Sequence, residues 1–347
     1  MNSPKISVII PVYNGERYIK QCLDSLINQT FQDFEIICVN DGSTDKSLAI
    51  LEQYAQKDSR IKIINQKNTG VSPARNRAMP EAKGEYLSFL DCDDFFEPDM
   101  FERLYENSVK YDADITVCGV KFFDERTKTV KDADFIDFNI LPDKKVFSAK
   151  ENSKYIFQIG LNWCWDKLYK ASFVKQNNFM FQTTKVHNDS FFAAYPLTKA
   201  KRMSVLNKTL CTYRINVDTS ATSMSRKIKY SLSFYEVLVL LKESLIKDNT
   251  FEFFKQSFAN FAIDIFCGYY EFMDIKFKEE YLKNLNIEKV NISRAGYKYF
   301  LNKKHLLLYI ILSYKPLILL SSPFFSYIRK MKRMFNPLFK NKYNLPF

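Results

Sequence analysis

Through its first 124 residues the chain alternates short apolar runs with segments whose apolar positions recur at helical spacing. ISVIIPVY (6–13), EIICVND (35–41), IKIINQ (61–66), YLSFLD (86–91) and DITVCGVKFF (114–123) read as strands. Between the first two, GERYIKQCLDSLINQ (15–29) sets Tyr18, Ile19, Cys22, Leu23 and Leu26 on one helical face. STDKSLAILEQYAQK (43–57) reads as a second helix with Ser43 or Thr44 as its cap. SPARNRAMPEA (72–82) opens a third, with Pro73 near its first turn, and PDMFERLYENSVKY (98–111) forms a fourth. Strands apolar on both faces and joined by helices predict an α/β fold, a Rossmann-like and mostly parallel sheet flanked by helices.

Beyond residue 124 the pattern weakens. DERTKTVKDADF is charged and reads as a loop or edge hairpin, and FSAKENSKYIFQI (147–159) reads as a helix. NWCWDKLYKASFVKQNN (162–178) is rich in aromatics and cations. HNDSFFAAYPLTKA (187–200) opens a helix, MSVLNKTLCTYRI (203–215) reads as a hairpin, and from about 225 the chain looks helical. There is no internal repeat.

Charge divides the chain. The sequence has 347 residues and a net charge of +12, yet residues 1–288 hold 39 basic and 39 acidic residues. The whole excess lies in twelve Lys and Arg past Glu288, so any partner implied by that charge belongs to the tail. The apolar stretch 305–327 is long enough to span a bilayer, but Lys315 and Pro316 interrupt its centre. Two short helices in the membrane interface, with aromatics inserted and cations on anionic headgroups, fit better. The competing reading packs the tail aromatics on the main body of the chain. No nucleic-acid reader motif accompanies the charge, so no nucleic-acid partner is expected.

A hydrophobic content of 46% excludes general disorder, and the length suits one large α/β domain with appendages or two domains. The seven cysteines include no C-x-x-C pair and read as reduced, buried thiols of a cytosolic chain. MNSPKISVIIPVY has no basic leader region and reads as a first strand, not a signal peptide.

In parallel sheets ligands bind outside the carboxyl ends of the strands. That rule selects Tyr13, Asn14 and Glu16, Asn40 and Asp41, Gln66 and Asn68, and the cluster Asp91, Asp93 and Asp94. Asp91 and Asp93 share a face if the segment is extended. Mg²⁺ or Mn²⁺ takes hard oxygen ligands, commonly one or two carboxylates with substrate phosphates. The plainer alternative is a solvated acidic turn ahead of the helix at Pro98.

Five stretches in order resemble one family. SVIIPVYNGERYIKQCLDSLINQTFQDFEIICVNDGSTDKS, NTGVSPARNRA and GEYLSFLDCDD look like the nucleotide-binding half of glycosyltransferase family 2, with weaker likeness in WDKLYKASF and NDSFF. The resemblance implies a GT-A fold, a nucleotide-sugar donor, a divalent cation (Mn²⁺ or Mg²⁺) and inversion at the anomeric carbon. By motif match, Pro11, Tyr13, Asn14 and Glu16 would line the nucleoside pocket, and Asp41 would accept from the base. Arg75 would lie near the donor, Asp91 near the ribose, and Asp93 on the metal with Asp91 beside it. Cys92 stands where a small polar residue is usual. A carboxylate only accepts, so Asp41 would favour the N3–H of uracil over cytosine, whose N3 is itself an acceptor. An Asp-Gly turn is the competing role for Asp41.

The resemblance also implies a base in a short acidic motif before an aromatic-rich helix. Asn188 replaces the first acid, which leaves Asp189 as the candidate, with helix capping as its competing role. His187 is a candidate for completing the metal shell, Trp165 for a sugar platform or for core, and Lys167 for a contact to the diphosphate or acceptor.

The expected organisation is a catalytic domain over 1–222, with a nucleotide-binding half (1–100) and an acceptor half (101–222), followed by a helical, basic-aromatic C-terminal extension over 223–347. The expected activity is transfer of a sugar from a UDP-sugar to a glycan or lipid-linked acceptor at the inner face of a bacterial plasma membrane. The rivals are a nucleotidyltransferase, whose Gly-rich loop is replaced here by PVYNGER, and a non-catalytic sugar- or membrane-binding protein.

Overall fold

The computed structural model describes residues 3–133, 136–160, 163–183, 189–216 and 233–272. Strands β1 (Ile6–Val12) and β2 (Phe34–Asp41) are buried at every position, which is why neither alternates polar with apolar. With β3 (Ile61–Gln66) and β4 (Tyr86–Phe89) they form a parallel sheet in the order β3-β2-β1-β4. Helix α1 (Ile19–Ile27) buries Ile19, Cys22, Leu23 and Leu26, the stripe its spacing predicts. Helices α2 (Ser47–Lys57), α3 (Val71–Ala78) and α4 (Met100–Lys110) complete this half. Neither Ser43 nor Thr44 caps α2. Asp45 Oδ1 accepts from Ser47 N at 2.9 Å instead, and Glu16 Oε2 accepts from Lys46 N at 2.9 Å.

The sheet continues with a change of direction. The later strands are β5 (Phe95–Phe96), β6 (Ile115–Asp124), β7 (Thr129–Ala133), β8 (Lys167–Lys170) and β9 (Met203–Ile215). The full order is β3-β2-β1-β4-β8-β6-β9-β5, with β7 on β6. β8 runs antiparallel to both β4 and β6, so the parallel arrangement holds in the first half and the sheet as a whole is mixed. Residues 124–133 form the expected edge hairpin. Helices α5 (Ala171–Gln176) and α6 (Ser190–Lys199) follow β8.

Two expectations fail. Residues 203–215 form one strand, not a hairpin. Opposite Val117 stands Val205, but opposite Gly119 stands Thr209, so Leu206, Asn207 and Lys208 are accommodated as a bulge. Gly119 permits this, because a Cβ there would lie 3.1 Å from the Lys208 carbonyl oxygen. Residues 147–159 form no α-helix. Phe147 bridges to Met203, Ile159 bridges to Ile136, and only Ile156–Gln158 makes a 3₁₀ turn.

That turn belongs to a second unit, with α7 (Ser233–Lys247) and α8 (Phe251–Phe272). Phe157 meets the rings of Phe254, Phe258 and Phe261, and Ser257 Oγ accepts from Phe157 N and donates to Gln158 Oε1. The helical reading holds over these residues. The basic-aromatic tail lies outside the described residues, among which no helix is long and apolar enough to cross a membrane.

Candidate active site

The turns after β1 and β2 hold each other. Asn14 sits in the left-handed region at φ 49°, donates its N–H to Ser43 Oγ at 3.1 Å, and accepts from Thr44 N at 2.8 Å. Glu16 N donates to Asp45 Oδ2 at 3.0 Å. Pro11 is buried within β1, while Tyr13 stands 48% exposed at its end, leaving its ring open to a planar ligand. At the end of β2, Asp41 is 2% exposed and organises the next loop. Its Oδ1 accepts from Gln66 Nε2 at 2.8 Å and Thr69 N at 2.9 Å, and its Oδ2 from Gly70 N at 2.8 Å. An ionised carboxylate oxygen accepts about two bonds, so Oδ2 keeps capacity for one more donor.

The three acids meet beyond β4. Ligand oxygens of Asp91, Asp93 and Asp94 all lie within 4.8 Å of one another. Two arginines offset their charge. Arg75, on α3 and 1% exposed, pairs with Asp91. Arg214, on β9 and 4% exposed, donates through Nε to the Asp93 carbonyl at 2.8 Å, and its backbone N–H donates to Asp94 Oδ1 at 2.9 Å. The Arg214 guanidinium also reaches Glu125 at 2.5 Å and Gln21 at 2.7 Å, so it is fixed from several sides. Burial and the neighbouring Asp91 charge push the Asp93 carboxyl up to about 6, and burial with the Asp93 and Asp91 charges raises Asp94 well above the ordinary carboxylate range. Asp94 Oδ2 is buried without a hydrogen-bond partner among the described residues. Crowded, desolvated carboxylates with an unpartnered oxygen are what a hard divalent cation would satisfy, so the residues fit the ion. The half-buried Cys92 faces Gly15, whose added Cβ would lie 3.1 Å from its Sγ.

Asp189 occupies the cap position of α6, but its side chain makes no capping hydrogen bond. Capping therefore does not occupy the carboxylate. Burial raises its carboxyl above the ordinary range, Arg75 opposes that, and the Asp91 charge adds to it. Cys164 Sγ lies 4.0 Å from Asp189 Oδ2. Asp189, Arg75 and Asp91 thus interact electrostatically across the two halves of the first unit. His187 and Asn188 lie outside the described residues.

Two acceptor-side candidates are core. Trp165 is 3% exposed and packs against Trp163 at 4.7 Å and Tyr213 at 5.3 Å, rings that also meet each other at 5.0 Å, so it is buried within an aromatic cluster. The half-buried members of that cluster are Trp163 and Tyr213. Lys167 is fully buried in β8, where its Nζ donates to Asp166 Oδ1 at 2.5 Å and to the Trp163 carbonyl at 2.8 Å. Burial pushes the Asp166 carboxyl up to about 6 even with that partner. Lys167→Met is therefore expected to strand a buried acid and lower the unfolding free energy by about 3–5 kcal/mol in urea titrations, with UDP affinity retained. Wild-type stability with lost UDP binding would return Lys167 to the diphosphate. The sequence places Asp94 in the acid cluster but gives no role to Arg214. The signal for Arg214 was a cation in the mostly apolar run LCTYRI (210–215).

A model of glycosyl transferase family 2 matches residues 7–176. The putative glycosyltransferase EpsH of Bacillus subtilis is 31% identical over 268 residues, covering 76% of this chain and 75% of that protein. The chain belongs to glycosyltransferase family 2. The glycosyltransferase GlyA of Streptococcus pneumoniae is 35% identical over 237 residues, which cover 66% of this chain. The match spans about a third of that relative's length, 33%. Among solved structures, residues 1–349 of Staphylococcus aureus TarS in complex with UDP-GlcNAc superpose with a TM-score of 0.69 at 24% identity, covering 90% of this chain and 88% of that one. This likeness establishes the GT-A fold for the family 2 chain.

Proposed function

We propose that the chain is an inverting glycosyltransferase that moves a sugar from a UDP-sugar to a glycan or lipid-linked acceptor of the bacterial cell surface. The observation that carries the reading is an uncapped Asp189 carboxylate in electrostatic contact with the Arg75–Asp91 pair beside the acid cluster. In this reading Asp189 takes the proton of the acceptor hydroxyl, the freed oxygen attacks the anomeric carbon, and the UDP–sugar bond breaks on the opposite face. Tyr13 and the remaining acceptor capacity of Asp41 Oδ2 receive the uracil. Asp91, Asp93 and Asp94 would hold a divalent cation. When bound, such a cation neutralises charge gathering on the departing diphosphate. The UDP-GlcNAc complex of TarS supports UDP as the nucleotide. Release of UDP from a panel of UDP-sugars, with Mn²⁺ or Mg²⁺ and with or without acceptors, tests the assignment. UDP release under none of those conditions, with UDP bound or not, would defeat it.

The catalytic part would span 1–222, and 223–347 would attach it peripherally to the inner face of the plasma membrane. The support is the twelve unopposed cations past Glu288, interleaved with Tyr309, Tyr314, Phe324, Phe325 and Tyr327. The full chain is expected to sediment with anionic vesicles and to be partly released by salt, since headgroup attraction of about 1 kcal/mol per cation is screened whereas aromatic burial is not. Equal binding to neutral vesicles would remove the electrostatic part.

A further inference from the structure

Within ARNRA, the residue after Arg75 has no role in the chemistry above, yet it makes a paired contact far along the chain. Asn76 Nδ2 donates to the Phe181 carbonyl at 2.9 Å, and Asn76 Oδ1 accepts from Phe181 N at 2.9 Å. One side-chain amide thus satisfies both backbone groups of one residue, as a neighbouring strand would. It fixes the position and orientation of that peptide without a sheet.

The ring of the clamped residue, 3% exposed, is held as firmly. The Arg75 guanidinium lies 5.0 Å from its centroid. Phe89, the last residue of β4, meets it edge-on at 4.9 Å. Phe192 stacks on it at 3.9 Å and 10°. Phe192 lies on α6, three residues after Asp189. Phe89 lies two residues before Asp91, and Arg75 pairs with Asp91. Phe181 therefore touches the strand that delivers the acid cluster, the arginine that pairs with it, and the helix that delivers the candidate base.

We propose that Asn76 and Phe181 are positioning residues that set the placement of Asp189 against Asp91 and Asp93, so that the donor-binding half and the base keep one geometry. This rests on the glycosyltransferase reading above. Its expected signature is specific. Loss of the clamp moves the base relative to the donor, which lowers turnover. The uridine end of the site is bound elsewhere and keeps its affinity. A misplacement on the order of 1 Å costs up to about a hundredfold in rate.

The test compares wild type with Asn76→Asp, Asn76→Ala and Phe181→Leu. Asn76→Asp is nearly isosteric and keeps the acceptor for Phe181 N–H, but it turns an oxygen towards the Phe181 carbonyl in place of a donor. Calorimetry reads UDP affinity with Mn²⁺, and UDP release from the UDP-sugar of the panel that wild type turns over reads kcat and KM. The expected result is a kcat about tenfold to a hundredfold lower in both Asn76 variants, with UDP affinity and donor KM within twofold of wild type. A folded Asn76→Asp with wild-type kcat overturns the proposal. UDP affinity falling in step with kcat also overturns it and assigns the clamp to the donor side. If the Asn76 variants do not fold, Phe181→Leu, which keeps the clamped backbone and loses the stack, decides by the same split. A wild type that releases UDP from no UDP-sugar of the panel, with or without acceptors, defeats the underlying reading, and the proposal with it.

Discussion

Asp189→Asn is expected to transfer sugar at least about a hundredfold more slowly than wild type while binding UDP equally well, the lower range for a lost general base. The carboxamide matches the carboxylate in shape, and the wild-type side chain makes no cap bond whose loss would unravel α6. What disappears is a proton acceptor poised above the ordinary carboxylate range by burial. The same shift sets the pH behaviour. Wild-type turnover falls on acidification as Asp189 protonates, at a pH above that of a solvated Asp, and the variant lacks that limb. Initial-rate profiles with a calorimetric UDP titration measure both. Loss of UDP affinity in the variant would move Asp189 to the donor site.

Asp93→Asn should abolish turnover at saturating Mn²⁺ and at the same time stabilise the metal-free protein above about pH 6. In the folded chain the Asp93 carboxyl titrates at about 6, against an ordinary 3.8. Between those values the folded state holds a proton that the unfolded state has released. Stability from this group therefore falls as pH rises through the interval and stays low above it. Asparagine carries no charge to desolvate beside Asp91 and Asp94, so the variant escapes that loss. Denaturant midpoints in EDTA at pH 4 and pH 8 read the difference. Full activity in Mn²⁺ would remove Asp93 from the cation site, and an unchanged pH slope would remove the raised carboxyl.

Much of this was legible before any coordinates. β1 to β4 and the helices between them were readable because each buries a complete face or stripe, and their apolar periods record it. The strand-end rule placed Asp41 after β2 and the acid cluster after β4, and the parallel pairing of both strands with β1 sets those ends on one edge of the sheet. The failures have local causes. Asn207 and Lys208 look like a turn because bulge residues leave the pairing and become exposed, as turn residues do. Residues 147–159 carry apolar positions that serve two different bridges and a 3₁₀ turn, a pattern that mimics helical spacing. Lys167 reads in the sequence as a contact to the diphosphate or acceptor, yet its neighbour Asp166 is its buried partner. The Asn76 clamp spans more than a hundred residues and uses a backbone carbonyl and a backbone N–H, so no spacing in the sequence could announce it.

The order of the sheet also has a history in time. β8 fills the gap between β4 and β6, but it is made about 80 residues after β4. A ribosome adding about 5–20 residues per second leaves that gap open for roughly 4–16 s. During that interval the four parallel strands can already pair with one another, while the outer edge of Tyr86–Phe89 displays unmet N–H and C=O groups beside large apolar side chains. Translational pausing between residues 90 and 166 would lengthen the exposure of a sticky edge, and a nascent chain arrested there is the species of this protein that a chaperone has most reason to hold.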